Sequence, residues 1–160
     1  KDLVSMIPYG RQEITDEDIR EVVEVLKSDF ITQGEVVPAF ERKLSEYTNS
    51  KFSIVVNSAT SALHLACKAL QIGVDDIVWT SANTFVASAN CALYCGAKID
   101  FIDIDPNTFN ISIQALTEKL ELAKKSNTLP KVIIPVHMCG QSCEMNSIYK
   151  LSKEYGFRLI

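Results

Sequence analysis

The sequence lacks the patterns that would assign it to a membrane, secreted or nucleic-acid-binding class. No apolar segment approaches the length of a membrane span, and the N-terminus has no basic region followed by an apolar one. There is no dense cluster of Lys and Arg, and the net charge of −4 disfavours a nucleic-acid surface. We therefore expect a cytoplasmic protein that has neither a membrane nor a nucleic acid as its partner.

Cysteine is present in an odd number, which disfavours a framework of disulfide bonds. The five cysteines lie in or near apolar segments, so we expect reduced thiols. Internal repeats and low-complexity tracts are also absent. The remaining composition is ordinary, with 47% hydrophobic residues in a chain of 160 residues, which is long enough to bury a core.

The first 35 residues are predicted to form an arm, a helix and a loop. Pro8 and Gly10 favour an extended arm, and the acidic residues after Thr15 are typical of a helix N-terminus. A loop over 29–34 follows, and Pro38 is predicted to begin the next helix. The apolar spacing of the first helix predicts a buried face made of Ile19, Val22, Val23 and Leu26.

From residue 52 onward, short apolar strands alternate with segments of helical spacing. Strands are predicted at 52–56, 77–80, 99–103 and 132–136, and a last one begins at Phe157. Helices are predicted from Ser58 and at 84–94, 112–125 and 145–155. This order implies an α/β fold in three layers, a mostly parallel sheet with helices on both faces. Ligands of such sheets bind at the carboxyl ends of the strands.

Two of these strand ends carry candidate ligand-binding residues. At 58–61 the sequence Ser-Ala-Thr-Ser opens a helix, where free backbone N–H groups and hydroxyls suit a phosphate or carboxylate. Capping of the helix by Ser58 or Thr60 explains the same residues without a ligand. Phe85 follows the strand at 77–80 and could stack on a planar ligand, or it could be a core residue.

Other polar residues near strand ends are interpreted as structural. Asp103 and Asp105 could bind a metal or transfer protons, but Asp-Pro-Asn at 105–107 is a turn signal. The spacing of His137, Cys139 and Cys143 matches no standard zinc pattern, so we expect no metal site. The remaining candidates, which we interpret as packing or structural residues, are His64, Cys91 and Cys95.

In their order and spacing, several segments resemble the DegT/DnrJ/EryC1/StrS family of pyridoxal-phosphate (PLP)-dependent sugar aminotransferases, which has fold type I. The resemblance rests on segments 7–9, 31–34, 57–63, 84–90, 96–97, 103–105 and 136–140. The segments 31–34 and 57–63 most resemble the branch that serves pseudaminic acid synthesis. The resemblance implies that residues 36–160 are the N-terminal part of the PLP-binding large domain, preceded by residues 1–35.

The resemblance also implies which residues bind ligands. The backbone and hydroxyls of Thr60 and Ser61, with Ala59, would hold the cofactor phosphate, and Phe85 would stack on the pyridine ring. The implied enzyme is a homodimer with shared active sites. The residues implied to contact the nucleotide-sugar are Tyr9, Asp29, Phe30, Ile31, Thr32 and Ala59.

The implied reaction transfers an amino group, with glutamate as the expected donor, to C4 of a 4-keto-6-deoxy nucleotide-sugar. The Asp that pairs with the pyridine nitrogen and the Lys that binds the cofactor would lie beyond Ile160, so no catalytic residue is assigned and the chain is expected to be inactive alone. An apolar strand that runs to the last residue is expected in part of a larger protein. A PLP-dependent sugar dehydratase of the same family and a non-catalytic binding domain remain alternatives.

Overall fold

The computed structural model describes residues 10–160, which divide between two compact units, one that ends at Val55 and one that spans Val56–Ile160. The first unit contains α1 (Asp16–Lys27) and α2 (Val36–Thr48). The second unit contains α3 (Ala59–Ala69), β1 (Ile77–Ser81), α4 (Ala87–Tyr94), β2 (Lys98–Ile102), α5 (Ile113–Ser126), β3 (Val132–Ile134), a 3₁₀ turn (Met138–Gly140), α6 (Met145–Tyr155) and β4 (Arg158–Leu159). None of the helices within 10–160 is long and apolar enough to cross a membrane.

The second unit is built on a parallel sheet of four strands in the order β2-β1-β3-β4. Trp79 in the central strand β1 pairs with Asp100 of β2 on one side and with Ile133 of β3 on the other. Ile133 also pairs with Leu159 of the edge strand β4. The α/β class and the parallel sheet predicted from the alternating pattern are confirmed.

Helices cover both faces of this sheet, because successive side chains of a strand point to opposite sides. One buried cluster joins the sheet to α3 and α4 and includes Cys67, Val78, Cys91, Val132 and Ile134. The other joins the sheet to α5 and α6 and includes Trp79, Leu116, Leu120, Ile133 and Ile148. The predicted three layers are therefore present.

The length of α3 brings its N-terminus to the carboxyl edge of the sheet. Both α3, with 11 residues, and β1, with five, are about 16 Å long. The connection between them is held by Lys131, whose Nζ donates to Gln71 O at 2.6 Å and to Asp76 Oδ2 at 2.8 Å. Since Lys131 directly precedes β3, this connection lies at the amino edge of the sheet, and the start of α3 lies at the opposite edge.

The strand predicted at 52–56 is wrong for the described structure. Residues 52–56 form no strand, and Phe52 and Ile54 are 75% and 79% exposed. The β-branched pattern was a local signal, whereas a strand needs a neighbour to complete its hydrogen bonds, and none of the four strands within 10–160 pairs with this segment. Val55 N instead donates to Glu41 Oε1 at 2.8 Å.

In the first unit, the predicted start of α1 is confirmed and its predicted buried face is wrong. Thr15 Oγ1 accepts from Asp18 N at 3.2 Å, while Thr15 N donates to Asp18 Oδ2 at 2.7 Å, which is a capping box. Neither α1 nor α2 buries a residue, because an amphipathic face needs an opposing surface. The predicted face is exposed by 53% at Ile19, 59% at Val22, 37% at Val23 and 66% at Leu26.

Predicted boundaries move by a few residues where proline is involved. β3 ends at Ile134 instead of 136, because Pro135 has no N–H group for the ladder. α2 begins at Val36, two residues before Pro38, which is tolerated in the first turn of a helix because that turn's N–H groups have no intrahelical partner.

Candidate functional site

Ser58 caps α3, so the capping interpretation of the 58–61 segment is correct for this residue. Its backbone is extended, with φ −162° and ψ 156°, and its Oγ accepts from Ser61 N at 3.1 Å. The first main-chain bond of the helix runs from Ala62 N to Ser58 O at 3.0 Å. The cap therefore uses the N–H group of Ser61 and does not use the N–H groups of Ala59 and Thr60.

The remaining donors at the start of α3 are available to an anion. Within the described part of the chain, the backbone N–H groups of Ala59 and Thr60 and the hydroxyl of Thr60 have no hydrogen-bond partner. These donors lie at the positive end of the α3 dipole, where a negatively charged group is stabilised. Capping and anion binding thus use different residues of one turn and are compatible.

The Ser61 hydroxyl is engaged within the protein, which sequence reasoning did not foresee. Ser61 Oγ donates to Asn57 Oδ1 at 2.7 Å and accepts from Ser58 Oγ at 3.1 Å. Its single proton is therefore directed at Asn57. Asn57 was overlooked as a candidate, although an amide four residues before a hydroxyl at a helix start was a usable signal.

Phe85 lies at the same edge of the sheet as the start of α3. It follows β1, directly precedes the turn into α4, and is 74% exposed, so the core interpretation of this residue is wrong. α3 and α4 pack against each other and against the same face of the sheet. A turn with donors for an anion and an exposed aromatic ring at the same edge of the sheet are features that suit a planar cofactor with a phosphate.

Residues 137–143 follow β3 at this edge and form a loop fastened by Asn110, which is 4% exposed. Asn110 Oδ1 accepts from Met138 N at 2.9 Å, and its Nδ2 donates to Gln141 O at 3.1 Å and Ser142 O at 3.2 Å. Sequence reasoning also missed Asn110, because its partners lie 28 or more residues away.

Two of the three residues weighed as metal ligands, His137 and Cys143, have other contacts. Cys143 N donates to His137 Nδ1 at 3.1 Å, and Cys143 Sγ donates to Val136 O at 3.2 Å. Cys139 is exposed. Among residues 10–160, no group of three or more His, Cys, Asp and Glu side chains could hold a metal ion.

The turn interpretation of Asp105 is confirmed. Its Oδ1 accepts from the backbone N–H groups of Thr108 and Asn107, each at 2.9 Å. These two hydrogen bonds lower the pKa of the Asp105 carboxyl below its ordinary value. The carboxylate closes the loop between β2 and α5.

The cysteines of α3 and α4 are core residues. Cys67 and Cys91 are fully buried in the cluster between the sheet and these helices. Burial, together with the neighbouring Cys91 thiol, raises the pKa of the Cys67 thiol to about 12. All five cysteines are free thiols. His64 packs edge-on against Tyr94, with ring centroids 5.5 Å apart.

The predicted substrate residues are distributed between the two units. Tyr9 lies outside the described residues, Ala59 is in the second unit, and the loop 29–32 is in the first. Phe30 and Ile31 are 70% and 68% exposed in that loop. A side chain at Gly34 would place its Cβ 2.7 Å from Phe30 O, so the loop path requires glycine at this position.

Comparison with known proteins shows the family of this chain. The model of the "DegT/DnrJ/EryC1/StrS aminotransferase family" matches residues 12–160. The UDP-4-amino-4,6-dideoxy-N-acetyl-beta-L-altrosamine transaminase of Campylobacter jejuni (strain 81-176) is 44% identical over 155 residues, which are 97% of this chain and 40% of that protein. The spore coat polysaccharide biosynthesis protein SpsC of Bacillus subtilis is 41% identical and covers 94% of this chain and 37% of its own length.

Solved structures agree with this fold. Helicobacter pylori PseC, an aminotransferase involved in the biosynthesis of pseudoaminic acid, superposes with a TM-score of 0.83 at 34% identity, over 95% of this chain and 40% of that one. The PLP-form of Spr1654 from Streptococcus pneumoniae has a TM-score of 0.82 at 33% identity, over 95% of this chain and 38% of its own. This chain thus spans about two fifths of the relatives that it matches.

Proposed function

The chain belongs to the DegT/DnrJ/EryC1/StrS aminotransferase family, and on this basis we propose that it is the N-terminal part of a PLP-dependent sugar aminotransferase. Residues 36–160 contribute to the cofactor-binding large domain, and residues 1–35 contribute the arm, helix and loop that precede it. The chain's coverage of 40% of the related transaminase supports this assignment. The rest of the large domain and a smaller domain belong to the remainder of the intact protein.

The observation that carries the proposal is the set of donors at the start of α3 that bond no other residue within 10–160. The N–H groups of Ala59 and Thr60 and the Thr60 hydroxyl would hold the phosphate of the cofactor, and the exposed Phe85 would stack on its ring. The N–H of Ser61 stays with the cap, and its hydroxyl orients the turn through Asn57. When bound, pyridoxal phosphate would supply an aldehyde carbon that takes up the amino group and a ring that accepts an electron pair.

The substrate is proposed to be a 4-keto-6-deoxy nucleotide-sugar, which receives an amino group at C4 from glutamate. The naming of two similar proteins, a UDP-4-amino sugar transaminase and PseC, supports this substrate class. The proposed nucleotide-sugar contacts are Tyr9, Asp29, Phe30, Ile31, Thr32 and Ala59. In a homodimer with shared active sites, some of these contacts are made across the interface.

Catalysis requires residues that this chain does not supply. The Lys that binds the cofactor and the Asp that pairs with its pyridine nitrogen belong to the remainder of the intact protein, so residues 1–160 bind and orient but do not transaminate. Binding and orienting the cofactor and substrate still contribute to the rate acceleration of the intact enzyme, because holding reacting groups in place removes much of the entropic barrier.

The experiment combines a cofactor test with a product test on the intact protein. We expect it to take up pyridoxal phosphate and, with glutamate and a UDP-linked 4-keto-6-deoxy sugar, to form the 4-amino sugar, detected by mass spectrometry. A protein that binds the cofactor but releases a deoxygenated sugar would instead be a dehydratase. No uptake of cofactor would exclude both enzymes and leave a binding domain.

A further inference from the structure

Asn110 and the loop 137–143 have no role in the function proposed above, although both lie at the edge of the sheet that carries the site. Asn110 is nearly fully buried, and its amide bonds three main-chain groups of the loop: Met138 N, Gln141 O and Ser142 O. The NH₂ donor and the carbonyl acceptor of the Asn110 amide thus both bond to the loop 137–143. A buried side chain bound in this way fixes the path of the loop.

The loop needs these hydrogen bonds to hold its conformation because its backbone is strained. Cys139 has φ 51° and Gly140 has φ 85°, so two consecutive residues adopt left-handed conformations. Glycine adopts this conformation easily, whereas the Cβ atom of cysteine makes it unfavourable. Conformations of this kind persist only where the surroundings hold them, and the contacts of Asn110 on both sides of Cys139 supply that restraint.

The loop in turn orients the ring of His137. Cys143 N–H donates to His137 Nδ1 at 3.1 Å, so this nitrogen carries the lone pair. In the neutral ring the proton is then on Nε2. His137 is exposed at the carboxyl end of β3, and β3 lies beside β1, whose end leads to Phe85. A fixed N–H donor is therefore presented at the edge where ligands of parallel sheets bind.

We propose that Asn110 is a positioning residue, which holds the loop 137–143 so that His137 Nε2–H donates a hydrogen bond to an oxygen atom of a bound substrate. The oxygen belongs to the carboxylate of the amino donor or to the nucleotide-sugar, since both present strong acceptors. This inference rests on the proposed function for its substrates. The orientation of His137 by Asn110 is a property of the protein without ligands.

The first test measures this orientation by ¹⁵N NMR of the histidine rings in the intact protein without cofactor or substrate. Asn110→Asp keeps the shape of the side chain and replaces its NH₂ donor by an oxygen, which repels the two carbonyls. Asn107→Asp makes the same chemical change at an exposed position and is the matched control. The His137 signal is assigned by its loss in His137→Gln.

We expect the wild type and Asn107→Asp to show the His137 proton on Nε2, and Asn110→Asp to show a mixture of both tautomers. An unchanged tautomer in a folded Asn110→Asp protein, or an Nδ1–H tautomer in the wild type, would overturn the positioning role. If Asn110→Asp does not fold, the wild-type tautomer and the His137 variants below decide the question.

The second test is kinetic and identifies the acceptor. His137→Phe removes the donor, whereas His137→Gln keeps an N–H group near the position of Nε2. We expect His137→Phe to raise KM for one substrate roughly threefold to tenfold with kcat little changed, as the loss of one ground-state hydrogen bond does, and His137→Gln to restore part of it. A higher KM for glutamate identifies the carboxylate, and a higher KM for the sugar identifies the nucleotide-sugar.

Unchanged KM values for both substrates in His137→Phe would overturn the contact with substrate. If the proposed function itself is wrong, the result differs from that of a wrong assignment of His137. A wild-type protein that takes up no pyridoxal phosphate and has no transaminase activity would overturn the proposed function and the assigned ligand of His137, while the NMR measurement would still decide the role of Asn110.

Discussion

Ser61 donates its backbone N–H to the side chain of Ser58 across 3.1 Å, and this bond closes the N-terminus of α3. It also divides the turn between two tasks. Ser58 and Ser61 complete the helix, while the donors of Ala59 and Thr60 between them bond no residue in the described part of the chain and can serve a ligand. A stability measurement and a cofactor-binding measurement can therefore address different residues of the same turn.

The cap predicts a stability effect at Ser58. We expect Ser58→Ala to lower the free energy of unfolding of the cofactor-free intact protein by about 1 kcal/mol, because one N–H loses its acceptor. Ser58→Gly should cost only a few tenths of a kcal/mol, since glycine is a tolerated cap. Urea denaturation followed by circular dichroism measures both variants, and an equal loss in the two would contradict a side-chain cap.

Lys119 fastens α5 to the sheet and is a second determinant of stability. Its Nζ lies 2.7 Å from Asp100 Oδ2, donates to Phe101 O at 2.6 Å, and is 4.9 Å from the centre of the Trp79 ring. We expect Lys119→Met to cost about 1–2 kcal/mol in urea denaturation, because it keeps the apolar stem but loses these polar contacts. The control is Lys125→Met, a solvent-exposed lysine of the same helix, and equal costs would show that the contacts are not stabilising.

The pair of Lys131 and Asp76 predicts a dependence of stability on pH. The hydrogen bond from Lys131 lowers the pKa of the Asp76 carboxyl below its ordinary value of 3.8. The ionised form is therefore favoured by folding, so its contribution is present above the unfolded pKa and is lost as the pH falls through the folded one.

We expect Lys131→Met to destabilise the protein by about 0.5–1 kcal/mol at pH 7, and this difference from the wild type to shrink below about pH 4. Part of the difference should remain in acid, because the bond from Lys131 Nζ to Gln71 O does not titrate. Urea denaturation at pH 7, 5 and 3 measures it. A difference that grows as the pH falls would contradict the assigned sign.

The raised pKa of Cys67 predicts that this thiol is unreactive in the folded protein. Burial keeps Cys67 neutral, with a pKa of about 12, and the thiolate is the reactive form. We expect iodoacetamide at pH 8 to leave Cys67 unmodified until denaturant is added, as measured by mass spectrometry of peptides. Modification of Cys67 at the same rate before and after denaturation would contradict its place in the core.

Local signals in the sequence were sufficient for most of the fold. The spacing of apolar residues located α6 without error, and hydroxyl residues marked the caps at Thr15 and Ser58. The strand at 52–56 was wrong because β-branched residues indicate only a suitable conformation. Pairing depends on a neighbour that is distant in the sequence, and local pattern carries no information about it.

The candidate site was predictable only in part for the same reason. Helix-start chemistry made Thr60 a candidate, but the engagement of Ser61 by Asn57 required the geometry of the turn. Phe85 was ambiguous between a core and a ligand-binding residue, and its exposure excludes only the core. Asn110 had no local signal, since its three bonds reach across at least 28 residues.

We propose that the start of α3 holds the phosphate of pyridoxal phosphate through Thr60, and the dissociation constant of the cofactor measures this contact. Equilibrium dialysis of intact protein compares the wild type with Thr60→Val, which has the same shape without the hydroxyl, and with Ser61→Ala. We expect Thr60→Val to raise the dissociation constant about tenfold or more, because a charged phosphate loses a donor, and Ser61→Ala to change it far less. Equal affinity in Thr60→Val and the wild type would contradict the account.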